Sequence, residues 1–357
     1  MVALHIANID PSIVGGVQVA VPAMVRAQAS VADVALLNTA GAEISGIKTL
    51  AWNGDFDLCR LEKPFDKPDV VVFHELYRIE YIDIYKKLVK AKIPYVIVPH
   101  GGLNACAQRT KRVKKTVANA LLFNGYFRSS AAIQYLSERE AQSSVLRERG
   151  FVCGNGVVIP DTTKEKFLEN GMLFLYIGRF TLAFKGLDML LGAIAQMRES
   201  LLNIGARFYL FGPDDEDKGS IVRLVHEMRL DDLVCIGDGV FAEQKVEELL
   251  RADWFIQPSR SEGLPLGVLE ALSYGLPCLV TEGTGLASAI VEHDAGVASS
   301  TSTEGVQYLI RTAIEKRGEM DRLSKNARRL AQEKFDVNLL AAQAIRTYQD
   351  IVSKHKG

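Results

Sequence analysis

The feature that most constrains the fold is a repeating alternation. A short β-branched or aromatic run leads into a Gly- or Pro-containing turn and then a longer segment of helical spacing, and this recurs along the whole chain. Strands separated by helices cannot pair as tight hairpins; each crossover returns the chain to pair in parallel, with helices covering the sheet. Strands are expected at 4–7, 34–37, 70–73, 95–98 and 132–135, then at 173–177, 208–211, 233–236, 254–257 and 278–280. One hydrophobic core rarely serves 357 residues. The pattern therefore predicts α/β architecture with two Rossmann-like, doubly wound domains facing a central cleft, 1–162 and 163–337, with the polar stretch 161–166 as linker. The segment 338–354 carries Leu339, Leu340, Ala344, Ile345, Tyr348, Ile351 and Val352 at helical spacing and reads as a closing helix, with 338–357 returning to the first domain.

Bulk chemistry removes several function classes. The 42 basic residues balance 43 acidic ones, so net charge proposes no nucleic-acid partner. The five cysteines (Cys59, Cys106, Cys153, Cys235, Cys278) are scattered and never spaced Cys-x-x-Cys, which argues against a disulfide framework and a thiolate metal site and for a reducing cytoplasm. The N-terminus runs straight into the strand-like 3–7, without the basic start and apolar core of a signal peptide, and no apolar run is long enough to span a bilayer. The expected location is cytoplasmic, with any membrane association peripheral, at the inner face.

Open parallel sheets bind ligands beyond the carboxyl ends of their strands, where helix N-termini aim their amides. The richest such turn follows 254–257 and reads Ser261-Glu262-Gly263-Leu264-Pro265-Leu266-Gly267-Val268-Leu269-Glu270. Pro265 suits the first position of a helix running towards Tyr274, which leaves the amides of Leu266 and Gly267 free for phosphate. Glu262 then precedes the helix and Glu270 lies inside it, with Gly267 and Ser273 as small neighbours leaving room for a ligand. A carboxylate accepts hydrogen bonds from vicinal hydroxyls, so one glutamate suits a sugar and the other a ribose. Taken alone, a helix-dipole role for Glu262 and a solvated Glu270 explain the same residues equally well.

This segment resembles the double-glutamate signature of the retaining GT-B glycosyltransferases of family four, the glycosyl transferases group 1. Leu175-Tyr176-Ile177-Gly178-Arg179-Phe180 and Phe184-Lys185-Gly186-Leu187-Asp188 resemble that family's strand, arginine and Lys-Gly pair. Tyr209-Leu210-Phe211-Gly212 and Ile236-Gly237-Asp238-Gly239-Val240 resemble its paired glycine turns, and 281–285 its last donor loop. The resemblance implies that Arg179 and Lys185 bind the donor pyrophosphate, Glu262 the donor sugar, Glu270 the ribose and Val240 the base. The segment Gly263, Leu264, Leu266 and Gly267 would line the phosphates or sugar. Cations at the first two positions fit the chemistry, since a departing nucleoside diphosphate gathers negative charge.

The first half matches more loosely. Gly15-Gly16 before a helix at Val17 resembles the family's N-terminal glycine loop, although a lone Gly-Gly also makes a simple tight turn. Pro99-His100-Gly101-Gly102-Leu103 resembles a turn whose histidine faces the donor across the cleft, with Gly101 replacing the aspartate common there; a structural turn histidine is the alternative. His5, inside the first strand, reads as structural.

Arg109, Lys111, Arg112, Lys114 and Lys115 precede the apolar 117–123. That arrangement suits an anionic membrane surface or a phosphate-linked acceptor, and equally a solvated helix face. Asp214-Asp215-Glu216-Asp217 reads as a solvated loop rather than a metal site. The expected activity is retaining transfer of a hexosyl unit from a UDP- or GDP-linked sugar to a saccharide or lipid-diphosphate-linked saccharide, without cofactor or metal, in cell-surface polysaccharide synthesis. Two rivals are a non-hydrolysing sugar-nucleotide epimerase and a non-catalytic sugar-nucleotide-binding module.

Overall fold

The computed structural model describes all residues except 14, 104–121, 145–148, 215–216 and 357. The basic run 109–115 and residues 215–216 of the acidic loop thus lie outside the described residues, as do 117–121 of the apolar run after it. The chain forms two compact units, Met1–Gly156 with Val337–Gly357, and Val157–Asp336.

The first unit is built on a seven-stranded sheet, β1 (Val2–Ala7), β2 (Asp33–Asn38), β3 (Thr49–Leu50), β4 (Val70–His74), β5 (Tyr95–Val98), β6 (Ala132–Tyr135) and β7 (Gly150–Val152), in the order β3-β2-β1-β4-β5-β6-β7. Every pairing is parallel. The second unit carries six strands, β8 (Met172–Ile177), β9 (Ala206–Phe211), β10 (Val234–Gly237), β11 (Trp254–Gln257), β12 (Cys278–Thr281) and β13 (Gly296–Ser299), in the order β10-β9-β8-β11-β12-β13 and again parallel. Both sheets reverse strand order once, between β1 and β4 and between β8 and β11. A doubly wound sheet opens its ligand crevice at that switch point.

β8 shows how the sequence specifies this arrangement. Phe174 and Tyr176 enter one buried cluster and Leu173 and Leu175 enter another, so the period of two distributes an unbroken apolar run over both covered faces of the sheet. Phe174 stacks on Phe208 of β9 with ring centroids 4.5 Å apart. Truncating a buried ring of this kind costs about 3–5 kcal/mol, enough to threaten the unit.

Each expected strand is present, within about two residues at either end. Three strands escaped notice: β3, β7 and β13, all at sheet edges. β3 has two residues, and β7 and β13 (Gly-Phe-Val and Gly-Val-Ala-Ser) begin at glycine and lack a run of β-branched residues. An edge strand needs less apolar surface because one side has no strand neighbour. The 161–166 stretch is packed onto the second unit rather than strung out as a linker. Lys164 is buried, its backbone N–H donates to Tyr274 O at 2.8 Å, and its Nζ donates to Leu250 O at 2.9 Å. The closing helix spans Val337–Lys356 and packs within the first unit against the helix Gly16–Gln28.

Candidate functional site

In the second unit the turns that carry Arg179 and Glu262 leave the two strands on either side of the switch point. β8 ends at Ile177 and passes into Gly178-Arg179; β11 ends at Gln257 and passes into the Glu262 turn. Arg179 is exposed there, and its carbonyl accepts the Tyr176 hydroxyl at 2.7 Å, which fixes the turn. Lys185 closes a short helix, Leu182–Lys185, and its ammonium forms an ion pair with Glu262 Oε1.

The Lys185 turn depends on Gly186, which has φ of +65°. A Cβ there would lie 2.2 Å from the Pro258 carbonyl oxygen, so no other residue fits without backbone movement. Arg260 ties the two loops together. Its N–H donates to Phe184 O at 2.7 Å, and its guanidinium donates to Asp188 through two bonds of 2.7 and 2.6 Å and to Leu182 O at 2.8 Å. A bidentate fork fixes direction as well as distance, and its hydrogen bonds hold the Asp188 carboxyl below the usual carboxylate range.

The other oxygen of Glu262 is equally constrained. Oε2 accepts from Gln257 Nε2 at 3.0 Å and from Ser259 Oγ at 2.9 Å, and both donors are buried. The Glu262 backbone pairs with the loop after β12, through Glu262 N to Gly283 O and Gly285 N to Glu262 O, each 2.9 Å. The carboxylate is thus oriented before any ligand arrives.

The following helix spans Leu266–Ser273, with Pro265 as N-cap in extended conformation rather than as the first helical residue. No side chain caps it, which leaves the Leu266 and Gly267 amides as the helix's orphan donors. Glu270 Oε1 accepts Lys245 Nζ at 2.6 Å from the helix Ala242–Arg251. The small neighbours of Glu270 do not leave the ligand space anticipated. A Cβ on Gly267 would stand 3.0 Å from Ile177 O and 3.1 Å from Phe255 Cζ, so this glycine seats the helix against the sheet, and Ser273 is buried. Open space lies at Gly263 instead, where an added Cβ would meet nothing within 4 Å. Leu264 and Leu266 are partly buried and pack on the apolar core, and Val240 is buried after β10.

The remaining predicted residues belong to the first unit. Gly15 is the N-cap of the helix Gly16–Gln28, again with no side-chain cap. His100 takes a left-handed conformation with φ of +47° after β5. Its turn is held by Gly102 N to Pro99 O at 2.9 Å and Gly101 N to Glu140 Oε1 at 2.5 Å. His100 Nε2 lies 3.0 Å from His74 Nδ1 on β4, and burial pulls the imidazole pKa down to about 4. His5, expected to be structural, is the next member of the same array, 2.8 Å from His74.

Sequence reading missed Gln257, Ser259, Lys245, Arg260, His74 and Glu140. A glutamine and a serine at the carboxyl end of an otherwise apolar strand were a usable signal, because buried polar groups require partners. Lys245 and Glu140 lie on helices distant in sequence from their partners, and only the fold brings them there. Among the described residues no group of His, Cys, Asp or Glu is placed to hold a metal ion, and no helix is long and apolar enough to cross a membrane.

Residues 160–330, nearly the whole second unit, match the family model described as glycosyl transferases group 1. The chain is 27% identical over 176 residues to the MMP alpha-(1->4)-mannosyltransferase of Mycolicibacterium hassiacum, covering 48% of this chain and 41% of that protein. It spans half or less of the length of the curated relatives it matches. Among solved structures it resembles Anabaena HepE in complex with UDP (TM-score 0.74, 16% identity, 98% of this chain and 100% of that one). It also resembles WaaG, a glycosyltransferase involved in lipopolysaccharide biosynthesis (TM-score 0.65, 17% identity, 96% and 98%). The chain has the GT-B fold, with two Rossmann-like domains, and its second unit matches the glycosyl transferases group 1 family model.

Proposed function

We propose that this protein is a retaining hexosyltransferase. It moves a hexosyl unit from a UDP- or GDP-linked sugar to the hydroxyl of a saccharide or lipid-linked saccharide, in the synthesis of a cell-surface polysaccharide. The observation that carries the reading is the pair of held carboxylates around one uncapped helix N-terminus. Glu262 is fixed by Lys185, Gln257 and Ser259 before the helix, and Glu270 by Lys245 within it. Anionic phosphate fits the orphan amides and their positive helix end, and hydroxyl-rich groups fit the carboxylates on either side.

In this mechanism the bond between the sugar C1 and the β-phosphate oxygen breaks as the acceptor oxygen bonds to C1 on the same face. Arg179 and Lys185 take up the charge that gathers on the leaving diphosphate, whose oxygen receives the acceptor's proton. Glu262 orients the sugar, so no protein nucleophile is required. The named activities of the mannosyltransferase relative and of WaaG support transfer and a cell-surface role.

The deciding experiment incubates the protein with UDP- and GDP-linked hexoses and a panel of saccharide and lipid-linked acceptors, with product configuration read by NMR. A new saccharide whose anomeric configuration matches the donor's is the expected result. An inverted product overturns retention, an epimerised nucleotide sugar favours the isomerase, and tight donor binding without product favours a binding module.

A further inference from the structure

A polar line crosses the apolar interior of the first unit and ends at His100. It starts at a backbone carbonyl, where Gln134 Nε2 donates to Cys153 O at 3.0 Å and so fixes that side chain's orientation. Gln134 Oε1 then accepts the Tyr348 hydroxyl proton at 2.6 Å. With its proton committed, the Tyr348 oxygen has only lone pairs to offer. The Gln28 amide group faces it, although no hydrogen bond of ordinary length closes at Nε2. Gln28 accordingly turns Oε1 towards His5, whose Nε2 lies 2.7 Å away. His5 Nδ1 is 2.8 Å from His74 Nε2, and His74 Nδ1 is 3.0 Å from His100 Nε2. All of these side chains are buried except His100, which is partly exposed.

The polarity of the line follows from what each atom can do. A carbonyl oxygen cannot donate, so the proton between Gln28 and His5 sits on His5 Nε2. A neutral imidazole carries one N–H, so His5 Nδ1 must accept, which places the His74 proton on Nε2. The same step places the His100 proton on its own Nε2. Burial keeps the array neutral, holding His5 near 4 and His74 well below its ordinary value.

We infer that Gln28, His5 and His74 are positioning residues that lock His100 in the Nε2–H tautomer, presenting Nδ1 as a hydrogen-bond acceptor to a substrate hydroxyl. Nδ1 makes no hydrogen bond among the described residues. A phosphate oxygen, itself an acceptor, would meet a lone pair there; a sugar hydroxyl brings the proton that Nδ1 lacks. The line is a lock and not a proton wire. To carry a proton away from His100 it would have to deliver one to Gln28, and an amide side chain has no site for it.

The role of His100 at substrate rests on the proposed transferase activity, whereas its tautomer does not, and the test separates the two. Protein labelled with 15N-histidine is examined by long-range 1H–15N correlation at neutral pH. The native chain should show His100 protonated on Nε2 alone. Gln28→Leu removes the acceptor, and the milder Tyr348→Phe frees the Gln28 amide to turn over; each should introduce the second tautomer at His100. A proton on His100 Nδ1 in the native chain, or one unchanged tautomer in both variants, overturns the inference. In the transfer assay, Gln28→Leu should lower kcat about five- to tenfold, the worth of one neutral hydrogen bond, and add nothing in a His100→Ala background. Equal losses in both backgrounds would also overturn it. Absence of any transfer sinks the activity and leaves the NMR result to decide the tautomer.

Discussion

Lys245 Nζ lies 2.6 Å from Glu270 Oε1, joining the helix after β10 to the helix after β11. Both side chains are about a quarter exposed. The lysine engages one carboxylate oxygen; in the proposed reading the other serves the two hydroxyls of a ribose. Replacing Lys245 by Met should raise the donor KM several-fold and leave kcat within about twofold, since a single partly screened ion pair contributes about 1 kcal/mol or less. Calorimetric titration with UDP and GDP checks this directly; unchanged affinity for both would remove Lys245 from the site.

Removal of the carboxylate itself should weigh more. Glu270→Ala is expected to weaken nucleotide binding by about 10- to 100-fold, because hydrogen bonds to a charged group contribute about 1.5–3 kcal/mol. The same titration reads it, and an unperturbed circular dichroism spectrum separates lost contacts from lost fold.

Arg179→Ala should act on turnover. If the guanidinium stabilises the departing diphosphate, kcat falls by about 100-fold or more while nucleotide affinity changes far less. Equal turnover in the variant and native enzymes would defeat the proposed mechanism.

Gly186→Ala tests the architecture of the site rather than its chemistry. Left-handed backbone costs a side-chain-bearing residue about 1–2 kcal/mol, and the new methyl also runs into the Pro258 carbonyl. Urea unfolding followed by fluorescence should show a loss of at least about 2 kcal/mol. Donor affinity should fall with it, because Lys185 is the preceding residue.

The histidine array gives stability a pH dependence of definite sign. His5 titrates near 4 in the folded chain against an ordinary value of 6.5, because burial disfavours its charged form. The unfolded chain therefore binds protons first as pH falls. The contribution is complete above about pH 6.5, declines between 6.5 and 4, and is exhausted below 4. For His5 alone it amounts to about 3 kcal/mol. Urea unfolding at intervals from pH 7.5 to 4.5 should show this decline, and His5→Gln should flatten it.

What could be read from sequence divides along physical lines. Nine of the ten expected runs are interior strands, legible because a strand covered on both faces must be apolar along its length, as in Phe174 and Tyr176 against Leu173 and Leu175. Glu262 and Glu270 were legible because they flank a helix start marked by Pro265. Lys245 was not, since its partner lies 25 residues away across a strand and a turn. Neither was the His5–His74–His100 line, whose members stand on β1, on β4 and after β5, and are adjacent only because the strand order places β1 beside β4 and β4 beside β5. Periodicity reports which face a residue takes; it does not report which strand comes next.

The first unit takes its last helix from residues 337–356, after the second unit is complete. Along that helix Leu340, Ala341, Ala344, Ile345 and Tyr348 are buried, and it lies against the helix that carries Ala20, Val21, Met24 and Gln28. On the ribosome, the second unit emerges as one uninterrupted stretch able to collapse on itself, whereas the first must wait, its flank uncovered, until residues 337–356 have followed it. Tyr348 arrives with that flank, so the polar line to His100 becomes whole only after the second unit has been made.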